Sequence, residues 1–333
     1  MEKELLKDFL SWYGEEQITT EHGLNNPYHM ENILLTHTLL VYDNMRRYLD
    51  KYSSKHSDNE VKILLLASLL HDIGKPYTRE VKDGKVTFPN HHFLSSLRAL
   101  DFAKNYIKEP EDLLKLAVVI FYHTVAHGSL KLLEHLPNDI QRLSAVLGFA
   151  DKKGRLVNHD VVKSISFPKI KKRKVTTDKK LILLHGPTMG GKTAYAKKLK
   201  QELNGYLLSM DIAKQQAKQQ KLNKEELFNK MKEEAKNHDI IIVDMSNLTL
   251  VSRYNFITLY PNRHTELHML FRSYNDIKKK LLKIKDSTYV GDPITYLSTI
   301  LRPSVTPTSE EAYDKVRLIL TEYNDQDNVL TIL

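Results

Sequence analysis

Apolar positions recur at helical spacing through most of the first 160 residues. The pattern predicts helices over Glu4–Trp12, Ile33–Leu49, Val61–Leu70, Phe93–Ile107, Asp112–His123 and Asn138–Ala150, with Pro110 and Pro137 marking boundaries. One stretch breaks the period. In Glu80–Phe88, Asp83-Gly84 stands between two short β-prone runs, which predicts a small hairpin. After residue 180 the pattern changes. Short apolar runs at Leu181–His185, Tyr206–Met210, Ile240–Asp244, Leu267–Phe271 and Arg317–Glu322 read as strands. Helical patterns fall between them, including Ala194–Leu203, Glu225–Lys236, Asp276–Lys285 and Ile294–Leu301. Such alternation predicts an α/β domain with a parallel sheet covered by helices on both faces. The expected organisation is an all-α domain over 1–162, a basic linker over 163–180 built on Lys169-Ile170-Lys171-Lys172-Arg173-Lys174, and an α/β domain over 181–333.

Composition narrows the chemistry. The 333 residues contain no cysteine, so disulfides and thiolate metal sites are excluded, and any metal must be held by His and carboxylates. Fifteen histidines make that feasible. No apolar run approaches the ~18 residues of a membrane span, and the charged start Met1-Glu2-Lys3-Glu4 has no signal-like apolar segment, so a cytoplasmic, membrane-free protein is expected. The net charge of +9 favours polyanionic partners.

Two groups of residues carry candidate chemistry. The first is a loop, His185-Gly186-Pro187-Thr188-Met189-Gly190-Gly191-Lys192-Thr193, between a predicted strand and a predicted helix. It fills the pattern G-x-x-x-x-G-K-[ST], in which backbone N–H groups cradle phosphate. Lys192 would reach the β- and γ-phosphates, and the Thr193 hydroxyl would meet Mg²⁺. Asp211 falls at the carboxyl end of a strand, where a carboxylate can act as general base for an attacking hydroxyl. Asp244 ends the run Ile240–Val243, in the place of a carboxylate that holds Mg²⁺ with ATP.

The second group lies upstream. His71-Asp72 ends an apolar helix, His37 shares a helical face with Leu34 and Val41, and Asp151 follows Leu147 and Ala150. His91, His92, His123 and His127 lie between. Imidazole and carboxylate ligands suit Mn, Fe, Co, Ni or Zn, and an open position on such a metal supports hydrolysis. Lys75 and Arg79 are candidate phosphate contacts by charge and position, with a plain surface cation as the alternative for each, and His29 is a candidate to face the substrate or support a ligand.

These residues carry resemblances. His37, His71-Asp72 and Asp151 resemble the ordered H…HD…D set of HD-domain phosphohydrolases. Asn26-Pro27-Tyr28-His29, Glu31 and His37-Thr38 resemble the opening stretch of one branch. His71-Asp72-Ile73-Gly74-Lys75-Pro76 and Thr78-Arg79, with Phe88 and His91, are similar to the HD module of some tRNA nucleotidyltransferases. The resemblance covers about residues 20–160. It implies a helical fold with His37, His71, Asp72 and Asp151 on one metal and His91 and His123 on a second, with His92 and His127 as alternatives. Downstream, Ser209-Met210-Asp211, Asp244, Asn247 and Arg253 resemble the polynucleotide-kinase-like P-loop phosphotransferases, which implies that Arg253 holds an acceptor phosphate. That family carries paired arginines in a lid, whereas this chain has no Arg between Arg272 and Arg302. Lys278, Lys279, Lys280, Lys283 and Lys285 stand there instead. Lys280, Lys283 and Arg302 are the candidates for the lid's phosphate contacts.

Together the two halves resemble the bifunctional HD-domain polynucleotide kinases of nucleic-acid end healing. The resemblance implies removal of a 3′-phosphate, 2′-phosphate or 2′,3′-cyclic phosphate in one domain and transfer of the ATP γ-phosphate to a 5′-hydroxyl in the other. Asp211, Lys192, Arg253 and Lys75 are then the catalytic set. The partners are ATP, nucleic-acid ends (RNA ahead of DNA) and a separate ligase. Two alternatives stay open. One is an HD nucleotidase fused to a mononucleotide or metabolite kinase. The other is an HD phosphohydrolase gated by a regulatory NTP-binding module.

Overall fold

The protein is described by a computed structural model covering residues 2–14, 19–23, 26, 29–155, 175–283, 291–311 and 313–333. The chain divides into two compact units. The first comprises Met1–Phe167, Ser273–Asn275 and Gly291–Arg302, and the second the remainder. This departs from the expected single break between domains, because two short segments after residue 270 pack with the first unit. The basic run 169–174 and Lys285 lie outside the described residues.

The described helices of the first unit are α1 (Glu2–Trp12), α2 (Leu34–Tyr52), α3 (Asp58–Leu70), the short α4 (Lys75–Thr78), α5 (His91–Ala103), α6 (Pro110–Ala126) and α7 (Asn138–Gly154), joined by α13 (Pro293–Leu301) from the second half of the chain. Helix α3 is central. Every residue from Ile63 to Leu70 is buried, and α2, α5, α6 and α7 pack around it. Its start is fixed by a capping box, in which the Ser57 hydroxyl accepts from Glu60 N and the Glu60 carboxylate accepts from Ser57 N. An apolar helix buried on all sides carries His71 and Asp72 at its end into the interior. The hairpin forms as β1 (Glu80–Lys82) and β2 (Lys85–Thr87), with Asp83 and Gly84 both at positive φ as a two-residue turn requires.

The second unit holds a six-stranded sheet in the order β4-β5-β3-β6-β7-β8. The strands are β3 (Lys180–His185), β4 (Tyr206–Ser209), β5 (Ile240–Asp244), β6 (His264–Arg272), β7 (Lys315–Tyr323) and β8 (Asp327–Ile332). The first five in spatial order are parallel, and β8 runs antiparallel to β7. The helices here are α8 (Lys192–Leu203), α9 (Met210–Gln220), α10 (Lys224–Ala235), α11 (Leu250–Leu259) and α12 (Tyr274–Lys283), the last beginning in the first unit. Ile182, Leu184, Leu207, Ile242, Leu270 and Ile319 from the strands pack on Ala196 and Leu199 of α8. The register sets Ser209 beside Asp244 at the carboxyl edge, where open parallel sheets bind ligands. Among the described residues no helix is long and apolar enough to cross a membrane.

Candidate active sites

In the first unit four histidines converge on one carboxylate. His71 Nε2 lies 3.3 Å and His37 Nε2 3.5 Å from Asp72 Oδ2. His91 Nε2 lies 3.1 Å and His123 Nε2 3.6 Å from Asp72 Oδ1. The two oxygens of Asp72 therefore face two separate pairs of imidazoles. Asp151 joins the first pair, with Oδ1 3.2 Å from His37 Nε2. These residues arrive from the buried face of α2, the end of α3, the first residue of α5, the last turn of α6 and the last turn of α7.

Backbone carbonyls set the rings. His71 Nδ1 lies 3.1 Å from Ser68 O, His91 Nδ1 2.8 Å from Phe88 O, and His123 Nδ1 2.7 Å from Ile120 O. A carbonyl can only accept, so each Nδ1 carries the proton and each Nε2 offers a lone pair inward. His37 has a carboxylate in that role, with Nδ1 3.0 Å from Glu31 Oε1. Metal-binding histidines are held this way, with one ring nitrogen on an acceptor so that the other points at the ion. Glu31 also takes His29 Nδ1 at 2.7 Å. Burial opposes ionisation of Asp72, but His71 and Lys75 outweigh it and hold its pKa well below the usual range. Burial likewise opposes ionisation of Asp151, and Arg155 and His127 prevail there. His37 is disfavoured as a cation by burial, yet hydrogen bonds to Asp151 and Glu31 raise its pKa. Burial lowers His123 to about 4. Two ionised carboxylates and four inward lone pairs form a donor set that fits divalent transition metals. Among the described residues three groupings could each hold an ion: His37-His71-Asp72, Asp72-His91-His123 and, beside them, His22-His29-Glu31.

Gly74 explains how close these elements come. A Cβ at this position would sit 2.5 Å from His91 O and 2.8 Å from Ser95 N. The turn after Asp72 thus abuts the start of α5, and Gly74 N donates to Ser95 Oγ at 2.9 Å. Lys75 is buried and places Nζ 2.6 Å from Asp72 Oδ2. Arg79 is exposed and donates to Glu21 O. The two alternative ligands lie outside both groupings around Asp72. His92 packs its ring against Phe121, and His127 Nε2 binds Asp151 Oδ2 at 2.6 Å. His29 stacks on His22 with ring centroids 4.0 Å apart. Spacing gave no signal for His22 or for Arg155, which grips Asp151 with Nε at 3.1 Å and Nη2 at 2.9 Å.

In the second unit Gly186–Thr193 links β3 to α8. Lys192 Nζ donates to the carbonyls of Gly186 (3.2 Å) and Pro187 (2.7 Å), folded over its own loop. Burial lowers its pKa to about 8, against the pull of Asp244 and Asp211. Asp244 accepts hydrogen bonds from Thr193 and from Ser209, the latter at 3.3 Å, which assembles the hydroxyl and carboxylate expected around Mg²⁺. Burial raises the pKa of Asp244 against those bonds. Asp211 is exposed in the first turn of α9 and pairs with Lys214 at 3.2 Å. Arg272, which spacing did not single out, braces the loop from behind. It donates to Met189 O at 2.7 Å, Thr321 Oγ1 at 3.1 Å and Asp327 Oδ1 at 2.6 Å. A Cβ on Gly191, whose φ is +87°, would lie 2.6 Å from Arg272 Nη2.

Four expected phosphate contacts, Arg253, Arg302, Lys280 and Lys283, are engaged by other groups. Arg253 is fully buried, and its guanidinium is occupied by Glu311 and by the carbonyls of Asn247 and Leu248. It braces the turn after β5 and presents no open face to an acceptor. Arg302 belongs to the first unit, where Nη2 meets Glu80 Oε2 at 2.7 Å and its carbonyl accepts from Asn90 Nδ2 at 2.6 Å. Its described contacts lie within the first unit. Lys280 and Lys283 are held by Asp327 and Asp325 on the β7–β8 side.

Residues 34–152 match the HD domain family. The segment spans α2 to α7 and contains every histidine and aspartate that faces Asp72. No curated protein matches the chain. Among solved structures, a gluconokinase from Sinorhizobium meliloti 1021 is similar at 12% identity, covering 42% of this chain and 81% of that one, with a TM-score of 0.30.

Proposed function

We propose that the protein is a bifunctional enzyme of nucleic-acid ends. The HD unit removes a 3′-phosphate, 2′-phosphate or 2′,3′-cyclic phosphate, and the sheet unit phosphorylates a 5′-hydroxyl from Mg·ATP. The observation that carries the first half is the division of the Asp72 oxygens between two imidazole pairs. Metals bound there would supply Lewis acidity and a water of lowered pKa. The chain's own part is to fix the ligands. Carbonyls and Glu31 hold the imidazoles with Nε2 inward, and Lys75 places a cation beside Asp72 for a phosphoryl oxygen.

The second half is supported by Lys192, Thr193 and Asp244 at the carboxyl edge and by Asp211 at the start of α9. Asp211 would accept the proton of the attacking hydroxyl. The +9 charge supports a polyanionic substrate. In this reading RNA is preferred to DNA, and a separate ligase joins the healed ends. One observation favours a second reading. Arg253, the cation expected to grip an acceptor's phosphate, is sequestered by Glu311, which suits a kinase for a nucleoside or small metabolite fused to an HD nucleotidase.

The test supplies Mn²⁺, Mg²⁺ and γ-labelled ATP with oligonucleotides ending in 3′-phosphate or 5′-hydroxyl, alongside free nucleosides and nucleotides. Phosphate release and label transfer on the oligonucleotides support the end-healing reading. Label transfer confined to nucleosides or metabolites supports the second.

A further inference from the structure

His22 is fully buried and lies outside the HD match; it stands with His29 and Glu31 in a third grouping of potential ligands, apart from the two around Asp72. Its Nε2 is 2.9 Å from Lys75 Nζ. An ammonium can only donate, so Nε2 accepts and the proton sits on Nδ1. Nδ1 is buried and meets no hydrogen-bond partner among the described residues. A buried donor left unpaired is disfavoured, and an apolar ring would fill the same space without that cost. The imidazole gives Lys75 an acceptor that an apolar ring would not.

The surroundings hold this acceptor in place. The ring stacks on His29 and stands edge-on to Phe88 and His37 at 5.5 and 5.7 Å. The backbone is pinned by His22 N to Asn32 O (2.7 Å), Gly23 N to Asn32 Oδ1 (3.0 Å) and Asn26 Nδ2 to His22 O (3.2 Å). A Cβ on Gly23, which has φ +100°, would lie 2.9 Å from Val86 Cγ2, so the segment seats against the hairpin. Lys75 Nζ then has two polar partners among the described residues, Asp72 Oδ2 and His22 Nε2, and its third N–H remains for an incoming oxygen.

We propose that His22 is a positioning residue of the hydrolase site, which aims the Lys75 ammonium at the phosphoryl group of the substrate. The inference rests on the phosphohydrolase reading above and adds to it a residue outside the HD match.

The test compares His22→Phe, which keeps a ring but no acceptor, with His22→Gln, which restores an acceptor. Each is made in the wild-type and Lys75→Ala backgrounds. Inorganic phosphate binding to the Mn-loaded protein is measured by calorimetry, with metal content, melting temperature and KM for a 3′-phosphorylated oligonucleotide. His22→Phe should weaken phosphate binding and raise KM by about tenfold with metal content unchanged, His22→Gln should recover most of it, and neither should add to Lys75→Ala. Wild-type phosphate affinity in His22→Phe, an equal loss in both variants, a full additional loss in the Lys75→Ala background, or loss of metal would each overturn the proposal. A wild-type protein that binds phosphate but hydrolyses no phosphoester would refute the phosphohydrolase reading instead, and the phosphate titration would still decide the role of His22.

Discussion

Arg253 and Glu311 form a bidentate ion pair inside the second unit, with Nε–Oε2 and Nη2–Oε1 both 2.7 Å. They are 58 residues apart in sequence and join the start of α11 to the segment before β7. Burial disfavours the guanidinium, and Glu311 outweighs that and raises its pKa. Nη1 donates to two carbonyls of the turn after Asp244 at 3.0 Å. The cation thus shapes the edge on which Asp244 sits without facing a ligand.

Removing one partner should therefore appear as instability. Glu311→Gln leaves a buried charge without its counter-ion, which costs about 3–5 kcal/mol. Denaturant unfolding should show the second unit melting at a lower midpoint. In the folded fraction, KM for a phosphate-bearing acceptor should stay within about twofold of wild type, since the ~1.4 kcal/mol behind a tenfold change has no contact here to come from. A large rise in KM at unchanged stability would return Arg253 to the acceptor site.

Gly74→Ala tests the contact between the two metal-ligand groups. The added methyl would meet His91 O and Ser95 N, both backbone atoms, and neither can rotate away. Overpacking of this kind costs about 1–3 kcal/mol. The displacement falls on the start of α5, so His91 should move away from Asp72. The expected result is weaker binding of one metal equivalent and a lower melting temperature, read by metal analysis and calorimetry. Unchanged metal binding would mean that α5 yields without moving His91.

Much of this was legible in the sequence, for identifiable reasons. The Asp83-Gly84 turn, the buried run Ile240–Asp244 and the helical face shared by His37, Leu34 and Val41 are local patterns, and each local pattern dictates its element. The His and Asp cluster was legible because its members end or begin helices whose periods are clear. What escaped depends on residues distant in sequence. Arg253 reads as a ligand for phosphate until Glu311 lies beside it. Arg302 reads as a lid cation until Glu80 and Asn90 hold it on the other unit. Strand β8, with exposed and half-buried residues alternating, lacked the apolar run that marked the other strands of its sheet. His22 and Arg272 act through atoms more than 50 residues away and leave no spacing signal.

Lys192 predicts a pH dependence. Its pKa of about 8 arises from burial, and a bound polyphosphate would favour the ammonium and raise it. ATP affinity should then be full below pH 8 and fall as pH rises through it, by roughly tenfold at one unit above. Calorimetric titration with Mg·ATP at pH 7 and 9, in buffers of different ionisation enthalpy, should detect proton uptake at the higher pH. Lys192→Met should bind more weakly and lose this slope. A pH-independent affinity in the wild type would show that Lys192 does not meet the phosphates.

Metal stoichiometry gives the sharpest test of the arrangement around Asp72. If each carboxylate oxygen serves one ion, Asp72→Asn weakens both, because an amide offers one neutral oxygen where two charged ones stood. His91→Ala removes an imidazole only from the Oδ1 side, and His71→Ala only from the Oδ2 side. Protein dialysed against Mn²⁺ should carry about two equivalents as wild type, one in each histidine variant, and less than one in Asp72→Asn. Mg·ATP binding to the sheet unit should be unchanged in all three, because none of these residues belongs to that unit. One equivalent in the wild type, lost with His71 but retained without His91, would reduce the centre to a single ion. His91 and His123 would then stand as substrate contacts beside it.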